Sequence, residues 1–106
     1  MMNSSSNNPL VTIITIVFNN VTTIRNAVQS VAFQDYDNIE HVVIDNCSTD
    51  GTLEYLEQLE DTRIKVISLP HSGRGVALNV GLNHSNSKYI AILDADDVAS
   101  KDRLFI

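Results

Sequence analysis

The chain has 106 residues, 43% of them hydrophobic, and a formal net charge of −6 at pH 7. This length allows one domain with a real core, and the negative charge argues against binding a nucleic-acid backbone, which requires clustered Lys and Arg. The single cysteine, Cys47, excludes an internal disulfide and suits a reducing compartment, and no apolar stretch approaches the roughly 20 residues that cross a bilayer.

The first nine residues form a polar segment rich in Asn and Ser, without the basic and apolar regions of a signal peptide. We expect residues 1–9 to be a disordered tail and residues 10–106 to form one domain. The predicted location is therefore the cytoplasm, with peripheral attachment to a membrane left open for a longer parent protein.

Four apolar segments alternate with helical patterns along the rest of the chain. Residues 10–18 form a continuous run rich in β-branched side chains, which is typical of a buried parallel strand. Shorter strands are predicted at 39–44, 63–69 and 89–93. A helix capped by Thr22 or Thr23 follows the first strand, a helix with Leu53, Leu56 and Leu59 on one side follows the second, and a third opens near Gly73.

This alternation predicts an α/β fold, a Rossmann-like and mostly parallel sheet with helices on both faces. Ligands of such sheets bind beyond the carboxyl ends of the strands. In this chain those ends carry Asn19, Asp45 with Asn46, His71 with Ser72, and an acidic cluster at residues 94–97. The polar groups are therefore expected to converge on one edge of the sheet.

The acidic cluster places three carboxylates, those of Asp94, Asp96 and Asp97, within four residues. Carboxylates this close repel one another unless a cation offsets them, and oxygen ligands favour Mg²⁺ or Mn²⁺. The alternative is a solvated acidic turn that caps the next helix. The three histidines of the chain lack metal-ligand spacing and are interpreted as surface or structural residues.

Four sequence blocks carry a resemblance to a known family. They are Ile-Thr-Ile-Val-Phe-Asn-Asn from Ile14, Ser-Val-Ala-Phe-Gln-Asp-Tyr from Ser30, Val-Ile-Asp-Asn-Cys-Ser-Thr-Asp-Gly-Thr from Val43, and Tyr-Ile-Ala-Ile-Leu-Asp-Ala-Asp-Asp from Tyr89. In this order and spacing, residues 11–104 resemble family 2 glycosyltransferases, the nucleotide-sugar enzymes of the GT-A fold. The resemblance implies that residues 10–106 are the N-terminal, donor-binding half of such a domain, truncated after the fourth strand.

The resemblance also implies roles for individual residues in binding the nucleotide. Phe18 is similar to the aromatic residue that packs on the base, with core packing as its alternative, and Asp45 to the acid that accepts from the base edge. Asn46 stands where many members have a second acid, which leaves the identity of the base open. Arg74 is placed to contact the base or the diphosphate, or is simply solvent-exposed. Asp94 is expected near the ribose and the metal.

Asp96 resembles the acid that coordinates the divalent cation together with Asp94, so the implied cofactor is Mn²⁺ or Mg²⁺. The implied reaction is an inverting, metal-dependent transfer of a sugar from a nucleotide-diphosphate sugar to an acceptor hydroxyl, as in polysaccharide biosynthesis. A UDP-sugar is the favoured donor, and the acceptor would be a glycan or a lipid-linked molecule. No catalytic base is assigned, because in the family it lies downstream of the position matching Ile106.

Two alternatives stand beside this interpretation. A receiver-like phosphoacceptor domain is also a small parallel α/β unit that binds Mg²⁺, but it needs an acidic pair where this chain has Asn19 and Asn20. The other is an inactive truncated fragment, since an unpaired edge strand would invite aggregation.

Overall fold

The computed structural model describes residues 9–95 of the chain. Within this range, strands and helices alternate: β1 (Val11–Val17), α1 (Val21–Ala32), β2 (Ile39–Asn46), α2 (Thr52–Glu57), β3 (Ile64–Leu69), α3 (Arg74–Asn83) and β4 (Tyr89–Ile92). The strands form one sheet in the order β3-β2-β1-β4, and every neighbouring pair is parallel. The predicted α/β fold with a parallel sheet is confirmed.

Helices cover both faces of the sheet, because β1 and β2 present apolar side chains to each side in turn. Val11, Ile13 and Val17 of β1 pack in a core with α1 and α2. Ile14 faces the opposite side of the sheet and belongs to a second core. This core also contains Val42 and Ile44 of β2 and Ala77 of α3. Six of the seven β1 residues are buried, as a continuous apolar run predicts for a central strand covered on both faces.

Helix α3 approaches the sheet closely through small residues. Ala77 and Gly81 are its buried positions, and a Cβ atom on Gly81 would lie 2.9 Å from Cγ2 of Ile14 in β1. The larger apolar residues Val76 and Leu82 are exposed instead. The fully buried positions of the helix are therefore small residues, while the larger Leu78 and Val80 pack against the same core partly buried.

The predicted cap of α1 is wrong. The N-cap position is Asn20, and neither Thr22 nor Thr23 accepts a hydrogen bond as a cap. The Thr23 hydroxyl instead donates to the carbonyl oxygen of Asn20 (3.3 Å), while the first helical amide, that of Val21, donates to the Asp50 carboxylate (3.1 Å). A side chain 29 residues away thus serves this helix end, which local sequence cannot indicate.

The helix after Gly51 is shorter than its leucine spacing predicted. It ends at Glu57, so Leu59 lies beyond it, although Leu56 is buried and Leu59 packs against the same core. Leu56 and Leu59 therefore reach the same core although the six-residue helix ends between them. No helix within residues 9–95 is long and apolar enough to cross a membrane.

Candidate functional site

The carboxyl ends of β3, β2, β1 and β4 lie side by side at one edge of the sheet. The register places Val17 of β1 opposite Asp45, and Asp45 opposite Ser68 of β3. Because side chains alternate along a strand, Asp45 and Asn46 point to opposite faces of the sheet. The two adjacent polar residues of β2 therefore have different surroundings.

Asp45 is fully buried at this edge, on the face covered by α1 and α2. Its Oδ2 atom accepts a hydrogen bond from the backbone amide of Ser48 (3.2 Å). Its Oδ1 atom has no partner among the described residues. Leaving a buried carboxylate oxygen unpaired is costly, so this atom is suited to accept a hydrogen bond from a ligand.

Asn46 is engaged with the loop between β3 and α3. Its side-chain amide nitrogen donates to the carbonyl oxygen of Ser72 (2.7 Å), and its Oδ1 accepts from the Ser72 amide (3.1 Å) and hydroxyl (3.2 Å). Only 8% of Asn46 is exposed. A direct contact between Asn46 and a nucleotide stays a prediction, since the side chain already has three partners in Ser72.

Phe18 directly follows β1 and is 48% exposed. This exposure contradicts the alternative in which Phe18 packs in the core. Its ring lies edge-to-face with that of His71, with 5.9 Å between centroids and 64° between planes. Since β2 separates β1 from β3 in the sheet, the two rings meet across the end of β2.

Arg74 and Asp94 lie at the same edge, one at the start of α3 and the other just after β4. A guanidinium nitrogen of Arg74 is 3.2 Å from Oδ1 of Asp94, and both side chains are more than half exposed. Solvent weakens an ion pair of this kind, so either group can exchange its partner for a charged ligand. The structure therefore brings together two residues that the sequence assigned to the donor.

Asp96 and Asp97 lie outside the described residues. A carboxylate oxygen such as that of Asp94 suits Mg²⁺ or Mn²⁺, but one carboxylate paired with an arginine does not make a cation site. Within residues 9–95, no three His, Cys, Asp or Glu side chains come together in a way that would hold a metal ion. A cation site would thus need Asp96 in addition to Asp94.

The loop that carries Phe18 is held by the loop after β2. The Asn19 amide donates to the Ser48 hydroxyl (2.9 Å), and the Thr49 amide donates to the Asn19 side chain (2.7 Å). Asn19 and Cys47 have positive φ angles of 51° and 68°, a conformation that asparagine tolerates better than most residues. Sequence reasoning did not assign these supporting roles, although the Asn-Asn and Ser-Thr-Asp-Gly turns signalled special backbone geometry.

Asp50 contributes to the same support. Its carboxylate accepts hydrogen bonds from Thr52 and from the backbone amide of Val21. The Thr52 hydroxyl is the main cause of its lowered pKa, and the backbone amides of Val21 and Thr52 add to it, against the opposing effect of burial. The charged carboxylate is therefore favoured where it ties α1 to α2.

His41 confirms the structural interpretation of that histidine. It is buried in the middle of the sheet, with Nε2 2.9 Å from the Thr15 hydroxyl, and burial lowers its pKa to about 4 despite the opposing charge of Asp61. It lies near the amino end of β2, away from Asp45.

Both the sequence and the fold of this chain are similar to those of glycosyltransferases. The sequence model described as Glycosyl transferase family 2 matches residues 12–105. The protein TuaG of Bacillus subtilis (strain 168), whose name assigns it to teichuronic acid biosynthesis as a glycosyltransferase, is 42% identical over 99 residues, covering 91% of this chain. The aligned region is 39% of TuaG, so the chain spans well under half of that relative.

Two solved structures share the fold. Residues 1–349 of S. aureus TarS, in a complex with UDP, superpose with a TM-score of 0.83 at 31% identity, covering 90% of this chain and 30% of that one. The mannosyltransferase PcManGT from Pyrobaculum calidifontis, in complex with GDP-Man and Mn²⁺, has a TM-score of 0.74 at 30% identity, covering 86% and 28% of the two chains.

Proposed function

We propose that this chain, which belongs to glycosyl transferase family 2, binds the nucleotide of a nucleotide-diphosphate sugar whose sugar the whole enzyme transfers to an acceptor hydroxyl. Membership of this family overturns the receiver-like alternative. It supports a glycosyltransferase as the whole protein, and the fold is that of GT-A glycosyltransferases. The activity, the donor, the cation, the acceptor and the stereochemistry belong to the proposal.

The observation that carries the proposal is the unpartnered Oδ1 atom of Asp45. This carboxylate is fully buried at the edge where α/β sheets bind ligands, yet one oxygen accepts no hydrogen bond from residues 9–95. The ring N–H group of uracil donates a hydrogen bond, and a carboxylate oxygen is a good acceptor for it. Asp45 is therefore assigned to the edge of the base.

Phe18 is assigned to the face of the base. Its ring is half-exposed and anchored by its contact with His71, and an exposed aromatic face favours stacking of a planar ring. Because Val17, the residue before Phe18, pairs with Asp45 in the sheet, the stacking ring and the accepting carboxylate come from neighbouring strand ends.

Arg74 and Asp94 are assigned to the ribose and diphosphate end of the donor. Their exposed ion pair is readily exchanged, which would free the guanidinium for phosphate oxygens. Asp94 with Asp96 would hold Mn²⁺ or Mg²⁺, and the bound cation would stabilise the charge that develops on the departing nucleoside diphosphate. The net charge of −6 makes such local cations necessary for binding an anionic donor.

The favoured donor is a UDP-sugar, since the TarS complex holds UDP at 31% identity to this chain. Because PcManGT, which is 30% identical, is solved in complex with GDP-Man, a guanosine donor is tested as well. A polysaccharide or lipid-linked acceptor is in line with the assignment of TuaG to teichuronic acid biosynthesis. Inversion at the anomeric carbon would require a carboxylate base, and no residue of this chain is assigned that role.

The test is calorimetric titration of UDP into the purified chain, with and without Mn²⁺, for the wild type and Asp45→Asn. We expect binding to the wild type and a loss of at least about tenfold in the variant, because the amide presents a donor where the base needs an acceptor. Asp35→Asn is the matched control, as Asp35 is an exposed acid beyond the far end of α1. GDP is titrated in parallel to identify the base.

Equal UDP affinity in wild type and Asp45→Asn would contradict the role of Asp45. A folded chain that binds neither UDP nor GDP, with or without Mn²⁺, would overturn the proposal for this chain and favour the inactive fragment. Loss of UDP affinity in Asp96→Ala only when Mn²⁺ is present would support the cation site.

A further inference from the structure

We propose that His71 contacts the nucleobase and that Asn46 is a positioning residue that holds His71 in place. This inference rests on the proposed function and extends the base site by one residue that the sequence analysis interpreted as surface or structural. It starts from the contact between the rings of Phe18 and His71.

The contact joins two strand ends that are not neighbours. Phe18 follows β1 and His71 follows β3, with β2 between them in the sheet, so the contact spans the end of the strand that carries Asp45. Their planes are inclined at 64°. A planar base that stacks on the Phe18 ring would therefore have its edge near the His71 ring.

The His71 side chain has the groups needed to bind that edge. It is exposed, and its imidazole ring carries two nitrogens that form hydrogen bonds. Neither ring nitrogen of His71 has a hydrogen-bond partner within residues 9–95, whereas Nδ1 of His84 and Nε2 of His41 lie 2.9 Å from protein oxygen atoms. His71 thus offers polar atoms at the proposed base site.

The position of His71 is set through the next residue. Three hydrogen bonds of 2.7 to 3.2 Å join Asn46 to the backbone and hydroxyl of Ser72. Two of these hydrogen bonds require an acceptor atom on the side chain at position 46, and the third requires a donor. An amide satisfies all three, whereas a carboxylate has no donor. Asn46 at this position therefore holds the loop in the conformation that brings His71 against Phe18.

The experiment is calorimetric titration of UDP, and separately of pyrophosphate, into the chain with Mn²⁺ present. We expect His71→Ala to weaken UDP binding about tenfold, the usual size of one lost hydrogen bond or ring contact, and to leave pyrophosphate binding unchanged. His84→Ala is the matched control, because His84 is exposed at the opposite end of α3. UDP should also shift the His71 ring resonances in NMR spectra and leave those of His84 in place.

Asn46→Asp tests the positioning role, since it keeps the size of the side chain and removes the donor. We expect about the same loss of UDP affinity as in His71→Ala, and no further loss when the two changes are combined, because both act through one ring. Thermal unfolding of each variant confirms that the chain remains folded.

UDP binding by His71→Ala at wild-type affinity would overturn the inference while the proposed function stands. An equal loss of UDP and pyrophosphate affinity would also overturn it, because His71 would then act on the whole site and not on the base. Losses that add in the double variant would overturn the positioning role of Asn46. If the wild type binds no nucleotide, the proposed function fails, and this inference fails with it.

Discussion

Strand β2 carries two buried acids, Glu40 near its amino end and Asp45 near its carboxyl end, and they differ in hydrogen bonding. Glu40 accepts from the Thr12 hydroxyl (2.6 Å) and from the backbone (2.5 Å) and side-chain (3.1 Å) amides of Asn86, and Lys65 lies 3.4 Å away. Asp45 accepts one hydrogen bond, from Ser48, and its other oxygen has no partner in the described range.

This difference separates an acid that holds the fold from one suited to a ligand. Glu40 connects β2 to β1, to β3 and to the segment before β4. Burial raises its pKa, but the hydrogen bonds from Asn86 and Thr12 and the charge of Lys65 outweigh burial, and the pKa is lowered overall. Burial and charge alone therefore do not distinguish the two acids, whereas their hydrogen bonding does.

The sharpest test of this comparison exchanges each acid for its amide. Glu40→Gln should reduce the free energy of unfolding by about 3 kcal/mol, since the amide nitrogen of Gln would face N–H and O–H groups that now donate hydrogen bonds to the carboxylate. Asp45→Asn should change it by less than about 1 kcal/mol, because the Ser48 amide keeps an oxygen acceptor and the other oxygen has no protein partner to lose. Denaturant unfolding measures both values. Similar losses in the two variants would remove the distinction.

Among residues 9–95, a second buried side-chain atom lacks a partner, Nδ1 of His41. The residue His41 borders a cavity of about 10 Å³ that is lined mainly by residues of α1 and the strands, which leaves room for about one water molecule. This unpaired atom lies near the amino end of β2, away from the edge where the carboxyl ends of the strands meet. We therefore interpret it as a cost of burying a histidine and not as a ligand site.

Stability should fall in mild acid because of His41. Its pKa is about 4 in the folded chain and 6.5 as the reference for the unfolded chain, so between these pH values the unfolded state binds more protons and acid favours unfolding. From pH 7 to pH 5 the free energy of unfolding should drop by about 2 kcal/mol. Glu40, with a lowered pKa, loses its contribution only in stronger acid.

His41→Gln is the matched variant for this pH dependence, since Gln can still bond to Thr15 without titrating. Its unfolding free energy should be nearly constant from pH 7 to pH 5 in the same denaturant measurement. Parallel curves for the variant and the wild type would show that His41 is not the group responsible.

The smallest expected effect lies in the packing beneath the site. Gly81→Ala should cost about 1 kcal/mol, because the added methyl group would lie 2.9 Å from a branched and fully buried Ile14. Gly75 is the matched control in the same helix: no atom lies within 4 Å of its added Cβ, and alanine there should raise stability by roughly 0.5 kcal/mol. Thermal unfolding measures both. Equal effects would show that α3 tolerates a wider separation from β1.

The sequence alone determined the order and type of the elements. The continuous β-branched run before Phe18 indicated a buried central strand, and the alternation of strands and helices implied a parallel sheet whose carboxyl ends share one edge. Asp45 and Asp94 could be assigned to that edge because topology, and not detailed packing, places them there, whereas Arg74 was assigned through the family resemblance. The roles assigned to these residues remain predictions.

Only the tertiary structure decided what the individual polar groups bond to. That Asn46 holds Ser72, that Phe18 meets His71, and that Asp50 serves the start of α1 all depend on contacts between residues 26 or more positions apart in the chain. Local propensity does not contain this information, because the register of the strands sets which side chains meet and alternation along β2 sends Asp45 and Asn46 to opposite faces.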